Sequence, residues 1–349
     1  MRCFVYVCAV TLLGLVSPSK AESILRVYSA TDTSAVMQLI RRFEVSTPGV
    51  RVEYTEFNTS ELYAEIRRGD SPADVVISSA MDLQAKLVNS GLAHAFKPTN
   101  ARNVPAWAQW RDELYGFTFE PVAMVYNRAA FAQRELPRSR SELAGVIRDD
   151  PGFFNGRVGT YDIHRSGVGY LFATQDAQRG YQFSRLTESF GRARTKTFCC
   201  TLDILNGVAS GELVFGYNVI GSYALSRANS DPRVGVYLLD DYTNVMTRTA
   251  FVPKTARNKA PATAFIDFLL SPAGQSTIAR HSSLLPLHFS ASDQEAPSPE
   301  MATEGRSALP IRLGIGLLTY LDRLKKKAFL ADWEAAMQPG FNAGQQTRD

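Results

Sequence analysis

A strand-like run followed by a helix-spaced run occurs three times in succession near the start of the chain, and few architectures accept that order. ILRVYSA alternates apolar and polar residues as a strand does. TSAVMQLIRRFEVSTPG then places Val36, Leu39, Ile40 and Phe43 at helical spacing, with Pro48 and Gly49 as the stop. VRVEYTEF predicts a second strand with Val50, Val52 and Tyr54 on one face, and SELYAEIRRG a short helix capped by Ser60 and ended at Gly69. ADVVIS is the unbroken apolar run that a parallel strand covered on both faces requires. The next helix is expected to start with Ser79 and Asp82 in capping-box spacing. The resulting β-α-β-α-β-α order is that of an α/β protein.

The same order returns further on. GFTFEPVAMVYN is extended and broken at Pro121, which fits a strand that bends while passing from one domain to another. GRVGTYD then SGVGYLFATQDAQ, and GELVFGYN then GSYALSRAN, are again strand followed by helix. VGVYLLDDYTNVMTRTAFVP is mostly extended and suits a return crossing, and PATAFIDFLLS predicts a helix with Ala264, Phe265, Phe268 and Leu269 on one face. One lobe is therefore expected from 22–120 plus about 250–285, and a second from about 125–240. The remaining segment, about 286–349, holds a polar loop, a last helix near YLDRLKKKAFLADWEAAM and a polar tail, and is expected to pack on the lobes. A chain of 349 residues, 45% hydrophobic and 21% charged, is long enough to bury two such cores.

Arg2, the apolar stretch CFVYVCAVTLLGLV and the small residues Ser19 and Ala21 have the form of a secretory signal cleaved after Ala21. An exported, periplasmic, monomeric protein is the expectation. Two of the 4 cysteines lie in that signal, which leaves the adjacent Cys199 and Cys200 in an oxidising compartment. They form either a disulfide between neighbours or two small buried residues at a helix start. No second Cys or His pair stands near them to complete a metal site.

The net charge of +4 is small for this length, and no Lys/Arg block is interleaved with aromatics, so a nucleic-acid surface is not expected. His94, His164, His281 and His288 show no metal-ligand spacing. IGSYA lacks the flanking glycine pattern of a nucleophile elbow, no GxxxxGK occurs, and SGVGYL lacks the third glycine of a dinucleotide loop. No cofactor is expected. An exported enzyme acting on a phosphorylated small molecule is kept as a second alternative.

In open α/β sheets, ligands bind beyond the carboxyl ends of strands, where helices begin with unpaired N–H groups. Here those junctions read SATDTS (29–34), SSAMD (78–82), HRSGVG (164–169) and IGSYA (220–224), all with Ser, Thr or Gly. Hydroxyls and bare backbone N–H groups at helix N-termini suit a phosphate or carboxylate. The candidate donors are Ser29, Thr31, Ser78 and Ser79 on one lobe, answered by Ser166, Gly167, Gly169, Gly221 and Ser222 on the other. Asp32, Glu120 and His164 are candidates for reading ligand hydroxyls, with Tyr223 covering the cleft.

VYSATD, LIRRFE with PGVRVEY, ELYAEI, ADVVISSAMDLQ, GFTFEPVAMVYN, GELVFGYNVIGSYAL and AFIDFLLSPAGQ together resemble the family 1 extracellular solute-binding proteins of ABC importers, in the ferric-iron-binding-like branch. The resemblance implies a two-lobed periplasmic binding protein fold of type II, with mixed sheets, helices on both faces and a ligand cleft between the lobes. It also implies an ABC permease as partner. Ferric-binding members carry adjacent tyrosines after the strand that matches LVFGYNV, whereas here Tyr217 and Tyr223 are separated. YNVIGSYA is more similar to members that bind sugar phosphates and to the phosphoglycerate-transport regulatory type, which serves a membrane sensor kinase. The expected ligand is thus a small anionic, phosphorylated metabolite, handed to a permease or reported to the periplasmic domain of a sensor kinase, with ferric iron as the alternative.

Overall fold

The computed structural model describes residues 22–287 and 308–338, so the expected signal segment, the polar loop with His288 and the tail lie outside it. The first units are β1 (Ser23–Ser29), α1 (Thr33–Ser46), β2 (Val50–Glu56), α2 (Thr59–Arg67), β3 (Val75–Ser78) and α3 (Met81–Asn89). Every residue of β3 is buried, as its unbroken apolar run requires of a strand covered on both faces. α1 turns Val36, Leu39, Ile40 and Phe43 inward, and Phe43 meets Phe265 edge to face at 4.9 Å.

Three local expectations need correction. The cap of α2 is Asn58, whose side chain accepts from Ser60 and Glu61 while Glu61 reaches back to it. This is a fuller capping box than Ser60 would supply. α3 starts from Ala80 with no side-chain cap, because Ser78 Oγ instead takes the Ala80 N–H at 3.1 Å and turns the chain before the helix. Ser79 is therefore not a cap. In the helix Lys259–Leu270, Ala264 is exposed and Ala262 takes the inward place beside Phe265, Ile266 and Leu269.

The chain continues through β4 (Gln109–Trp110), β5 (Leu114–Gly116), β6 (Glu120–Asn127), α4 (Arg140–Asp149), α5 (Pro151–Phe154) and β7 (Val158–Tyr161). Then come α6 (Gly167–Ala177), α7 (Gln182–Arg192), β8 (Lys196–Phe198), α8 (Thr201–Ser210), β9 (Phe215–Ile220) and α9 (Gly221–Ser230). β10 (Val234–Tyr237), β11 (Thr243–Met246), β12 (Thr249–Phe251), α10 (Lys259–Leu270) and α11 (Pro272–His281) follow. β13 (Ala308–Pro310) and α12 (Arg323–Met337) complete the described elements.

Two mixed sheets result. One has the order β2-β1-β3-β12-β5-β4, the other β13-β11-β6-β9-β7-β8 with β10 on β6. β1 pairs parallel with β2 and β3, while β12 closes antiparallel against β3. The chain leaves the first sheet after β5, enters the second at β6, and returns between β11 and β12. The crossings are stitched together: Arg248 N donates to Thr118 Oγ1 at 2.8 Å, Phe117 N to Arg248 O at 3.0 Å, and Thr118 N to Thr247 Oγ1 at 3.3 Å. Residues from opposite sides of the cleft also meet at Gly167, whose N–H donates to Thr59 Oγ1 at 2.8 Å.

The C-terminal segment ties both sides. Lys86 Nζ on α3 donates to the Leu321 carbonyl at 3.3 Å, and Tyr170 Oη on α6 to the Tyr320 carbonyl at 2.5 Å. Beyond these carbonyls α12 lies on α7, with Trp333 stacked on Phe183 at 6.0 Å.

Candidate functional site

Arg248 stands at the return crossing and is fully buried. Its Nε donates to Glu120 Oε1 at 3.0 Å and its Nη1 to Thr31 Oγ1 at 2.8 Å. Its guanidinium lies over the Tyr223 ring, 4.8 Å from the centroid. Nη2 is buried without a hydrogen-bond partner in the protein. Burial opposes the charge, but Tyr223, Glu120 and Asp32 outweigh it and hold the guanidinium pKa above its ordinary value. The residue is a fixed cation with one nitrogen, carrying two N–H donors, still without a partner.

That cation forms part of the wall of a cavity of about 310 Å³ between the two sheets, at the lower end of the size range of small-molecule sites. One wall contains Ala30, Asp32, Glu56, Asn58, Thr59 and Ser79, and the opposite wall Tyr161, Ser166, Cys199, Cys200, Thr201, Ile220 and Tyr223. Helices α1, α8 and α9 begin at wall residues Asp32, Cys200 and Ile220, none of which supplies a side-chain cap. Helix starts of this kind carry partial positive charge and spare N–H groups.

Three carboxylates face the same space, and two have structural duties. Glu56 Oε2 accepts from Thr33 N at 2.7 Å and from its hydroxyl at 2.8 Å, which secures the first turn of α1. Glu61 closes the α2 capping box. Asp32 lies beside Tyr223, whose hydroxyl accepts from Asp32 N at 3.2 Å, and burial, followed by the Asp32 charge, raises the Tyr223 phenol pKa.

Of the residues expected from sequence, Asp32, Ser79, Ser166 and Tyr223 line the cavity. Ser166 also caps α6 by accepting from Gly169 N at 3.1 Å. The others stand behind the wall. Ser29 Oγ accepts from Thr31 N at 3.1 Å, Thr31 holds Arg248, and Ser78 holds Ala80. Gly167 and Gly169 are close-packing positions, since a Cβ on them would strike Leu83 and Tyr161 respectively, and a Cβ on Gly221 would strike the Pro121 carbonyl. Ser222 is buried, and its Oγ has no partner in the protein.

Two hydroxyl-reading assignments need correction. Glu120 is fully buried and held by Arg248, so it positions the guanidinium and does not face the cavity. His164 is exposed and pairs with Glu334 of α12 at 3.1 Å, away from the cavity wall. Tyr217 likewise belongs to the second-sheet interior, where its hydroxyl donates to Asp176 Oδ2 at 2.7 Å and accepts from Arg140 Nε at 2.9 Å.

Sequence reasoning missed Arg248, although a lone arginine inside the extended, largely buried NVMTRTAF was a legible signal. It also left the cysteine pair open between two readings; the structure joins Cys199 to Cys200 in a disulfide on the cavity wall.

Two sheets joined by stitched crossing strands, with a polar cavity between them, define a binding protein, and residues 25–281 match the bacterial extracellular solute-binding proteins. The chain belongs to that family. A substrate-binding protein of an ABC transporter from Agrobacterium tumefaciens has a similar structure, with a TM-score of 0.84 and 33% identity over 92% of this chain and 96% of that one. Iron uptake protein A1 of Synechocystis is 26% identical over 289 residues, 76% of each chain. AfuA of Actinobacillus pleuropneumoniae, solved with fructose-6-phosphate, shares the fold at a TM-score of 0.70 and 17% identity, covering 91% of this chain and 99% of that one. The expected two-lobed solute-binding architecture is borne out, and the relatives are binding proteins of transporters.

Proposed function

We propose that this protein captures a small anionic, phosphorylated organic metabolite in the periplasm and presents it to an ABC permease or to the periplasmic domain of a sensor kinase. The observation that carries this reading is Arg248, which lines the cavity and whose Nη2 is buried with no partner in the protein. A buried charged donor left unsatisfied is costly, and a phosphate oxygen would complete it with a short charge-assisted bond. The uncapped starts of α8 and α9 add donors around the same space. Asp32 and the Ser79 and Ser166 hydroxyls suit the hydroxyl groups of the ligand's carbon skeleton.

Ferric iron is the second reading, favoured by the name of the Synechocystis relative. The cavity suits it less well. Tyr161 shares its hydroxyl hydrogen bond with Thr201 at 2.5 Å, and burial raises the pKa of both the Tyr161 and Tyr223 phenols, against the phenolate a ferric ion needs. Among the described residues, one group of Cys, His, Asp and Glu is close enough to share a metal: Cys199, Cys200 and Asp203, two of them joined in the disulfide.

The test is thermal melting and calorimetry of the mature protein with fructose 6-phosphate, 3-phosphoglycerate, their unphosphorylated parents, and ferric citrate. Phosphate esters should raise the melting temperature, with about 2.7 kcal/mol of added stability at roughly 100 times the dissociation constant. The parents should do little. A one-to-one coloured ferric complex with no response to any ester would replace this reading by the iron one.

A further inference from the structure

The cysteine pair does more than close a loop. Cys199 and Cys200 are half-buried, both line the cavity, and Cys200 is the residue from which the ten-residue helix α8 starts. A serine, threonine or aspartate at that position would take up the spare N–H groups of the first turn. A disulfide sulfur is a poor acceptor and leaves them open. Thr201 and Leu202 of that turn line the same cavity, which Arg248, with its buried and unpartnered Nη2, also lines. The Asp203 carboxylate, in the first turn of α8, is 3.6 Å from Cys199 Sγ.

We propose that the Cys199–Cys200 disulfide is a redox-responsive wall of the ligand cleft, oxidised in the state that binds the anion and reduced in a state that releases it. The proposal rests on the reading of the cleft as an anion site. A dithiol reductant supplies the chemistry. Its thiolate attacks one sulfur of the pair, the Cys199–Cys200 bond breaks and a mixed disulfide forms. The reductant's second thiol then displaces the protein sulfur. Two electrons and two protons pass to the protein, which becomes a dithiol, while the reductant becomes a disulfide.

Reduction changes the cleft in two ways. The sulfurs, no longer bonded, separate to van der Waals distance and reshape the wall beside Thr201. The Cys200 sulfur, at the N-terminus of α8 and on the cavity that Arg248 also lines, gains thiolate character. A negative sulfur there competes with the ligand's anionic group for the same N–H donors and the same guanidinium. Cys199, facing Asp203, is the partner expected to keep its proton. Because linkage is reciprocal, a bound anion must resist reduction by the same factor by which reduction weakens its binding.

The experiment uses the mature protein with fructose 6-phosphate and inorganic phosphate as probes. A chelator is present, because Cys199, Cys200 and Asp203 bring their ligand atoms within 4.8 Å of one another and a reduced pair could take a thiophilic ion. Affinity is measured by calorimetry before and after dithiothreitol treatment, with thiol titration and intact mass reporting the state of the pair. Reduction should weaken binding by at least about fivefold, the lower end of coupling between linked sites. The probe should shift the reduction equilibrium toward the disulfide by the same factor. Cys199→Ala/Cys200→Ala should bind with one affinity regardless of reductant.

Equal affinity of the oxidised and reduced forms overturns the switch while leaving the anion site standing. A pair that remains as free thiols in protein recovered from an oxidising compartment overturns it too. Failure of the oxidised protein to bind either probe removes the anion reading itself, a result separable from the other two.

Discussion

Arg248→Lys isolates the group on which the anion reading depends. In the wild type, Nε and Nη1 are engaged by Glu120 at 3.0 Å and Thr31 at 2.8 Å, and Nη2 alone of the guanidinium nitrogens is buried without a partner. A lysine ammonium is a point charge on a shorter reach, and the fully buried Glu120 will hold it. The buried ion pair survives, and the donor toward the ligand is lost. A hydrogen bond to a charged group contributes about 1.5–3 kcal/mol, so binding of fructose 6-phosphate should weaken by roughly 10- to 150-fold. Binding of fructose should hardly change. Arg248→Met is a poorer probe, because it strands Glu120 and should cost about 3–5 kcal/mol of stability. Arg248→Met/Glu120→Gln removes both charges and should keep the fold while losing the phosphate ester. Calorimetry with the ester and its parent, beside melting of the apo proteins, separates the effects. If Arg248→Lys binds the ester within about twofold of wild type, a difference under roughly 0.5 kcal/mol, the guanidinium is not the anion's partner.

Asp82 offers a test through pH. Burial raises its carboxyl pKa to about 7, against the lowering pull of the Leu83 N–H, Lys326 and Lys86. The folded state therefore holds a proton that the unfolded chain has released above its own lower pKa, so stability is greatest in acid and falls as pH rises toward 7. Asp82→Asn resembles the protonated carboxyl and should add up to roughly 4 kcal/mol at about pH 8 and little at about pH 4, read by urea denaturation; an equal change at both would show that the carboxyl is not perturbed. Ser78→Ala and Ser79→Ala should divide stability from binding. Ser78→Ala strands the Ala80 N–H and should cost about 1–2 kcal/mol with little change in affinity, whereas Ser79→Ala should melt normally and bind the ester more weakly. The reverse pattern in paired melting and titration curves would place the wrong serine at the ligand.

The α/β class and the positions of β1, α1, β3, β7, α6, β9 and α9 were legible in the chain because they follow from local periodicity, which neighbouring residues carry by themselves. The four Ser-, Thr- and Gly-rich junctions were legible for the same reason, and each one contributes at least one residue to the cavity wall. Which hydroxyl at a junction faces the ligand and which faces the backbone was not. At a strand end adjacent side chains point to opposite sides, so Ser78 turned inward to Ala80 while Ser79 reached the wall, and sequence spacing is identical for either outcome. Arg248 depended wholly on tertiary structure. Its partners Glu120 and Thr31 lie 128 and 217 residues away along the chain; Glu120 meets it because both crossings run side by side between the sheets, and Thr31 because the β1–α1 junction packs against the return crossing. The disulfide likewise joins neighbours whose spacing was always plain, but its presence on the cleft wall follows from the packing of α8 against β7 and β9, which no stretch around Cys199 encodes.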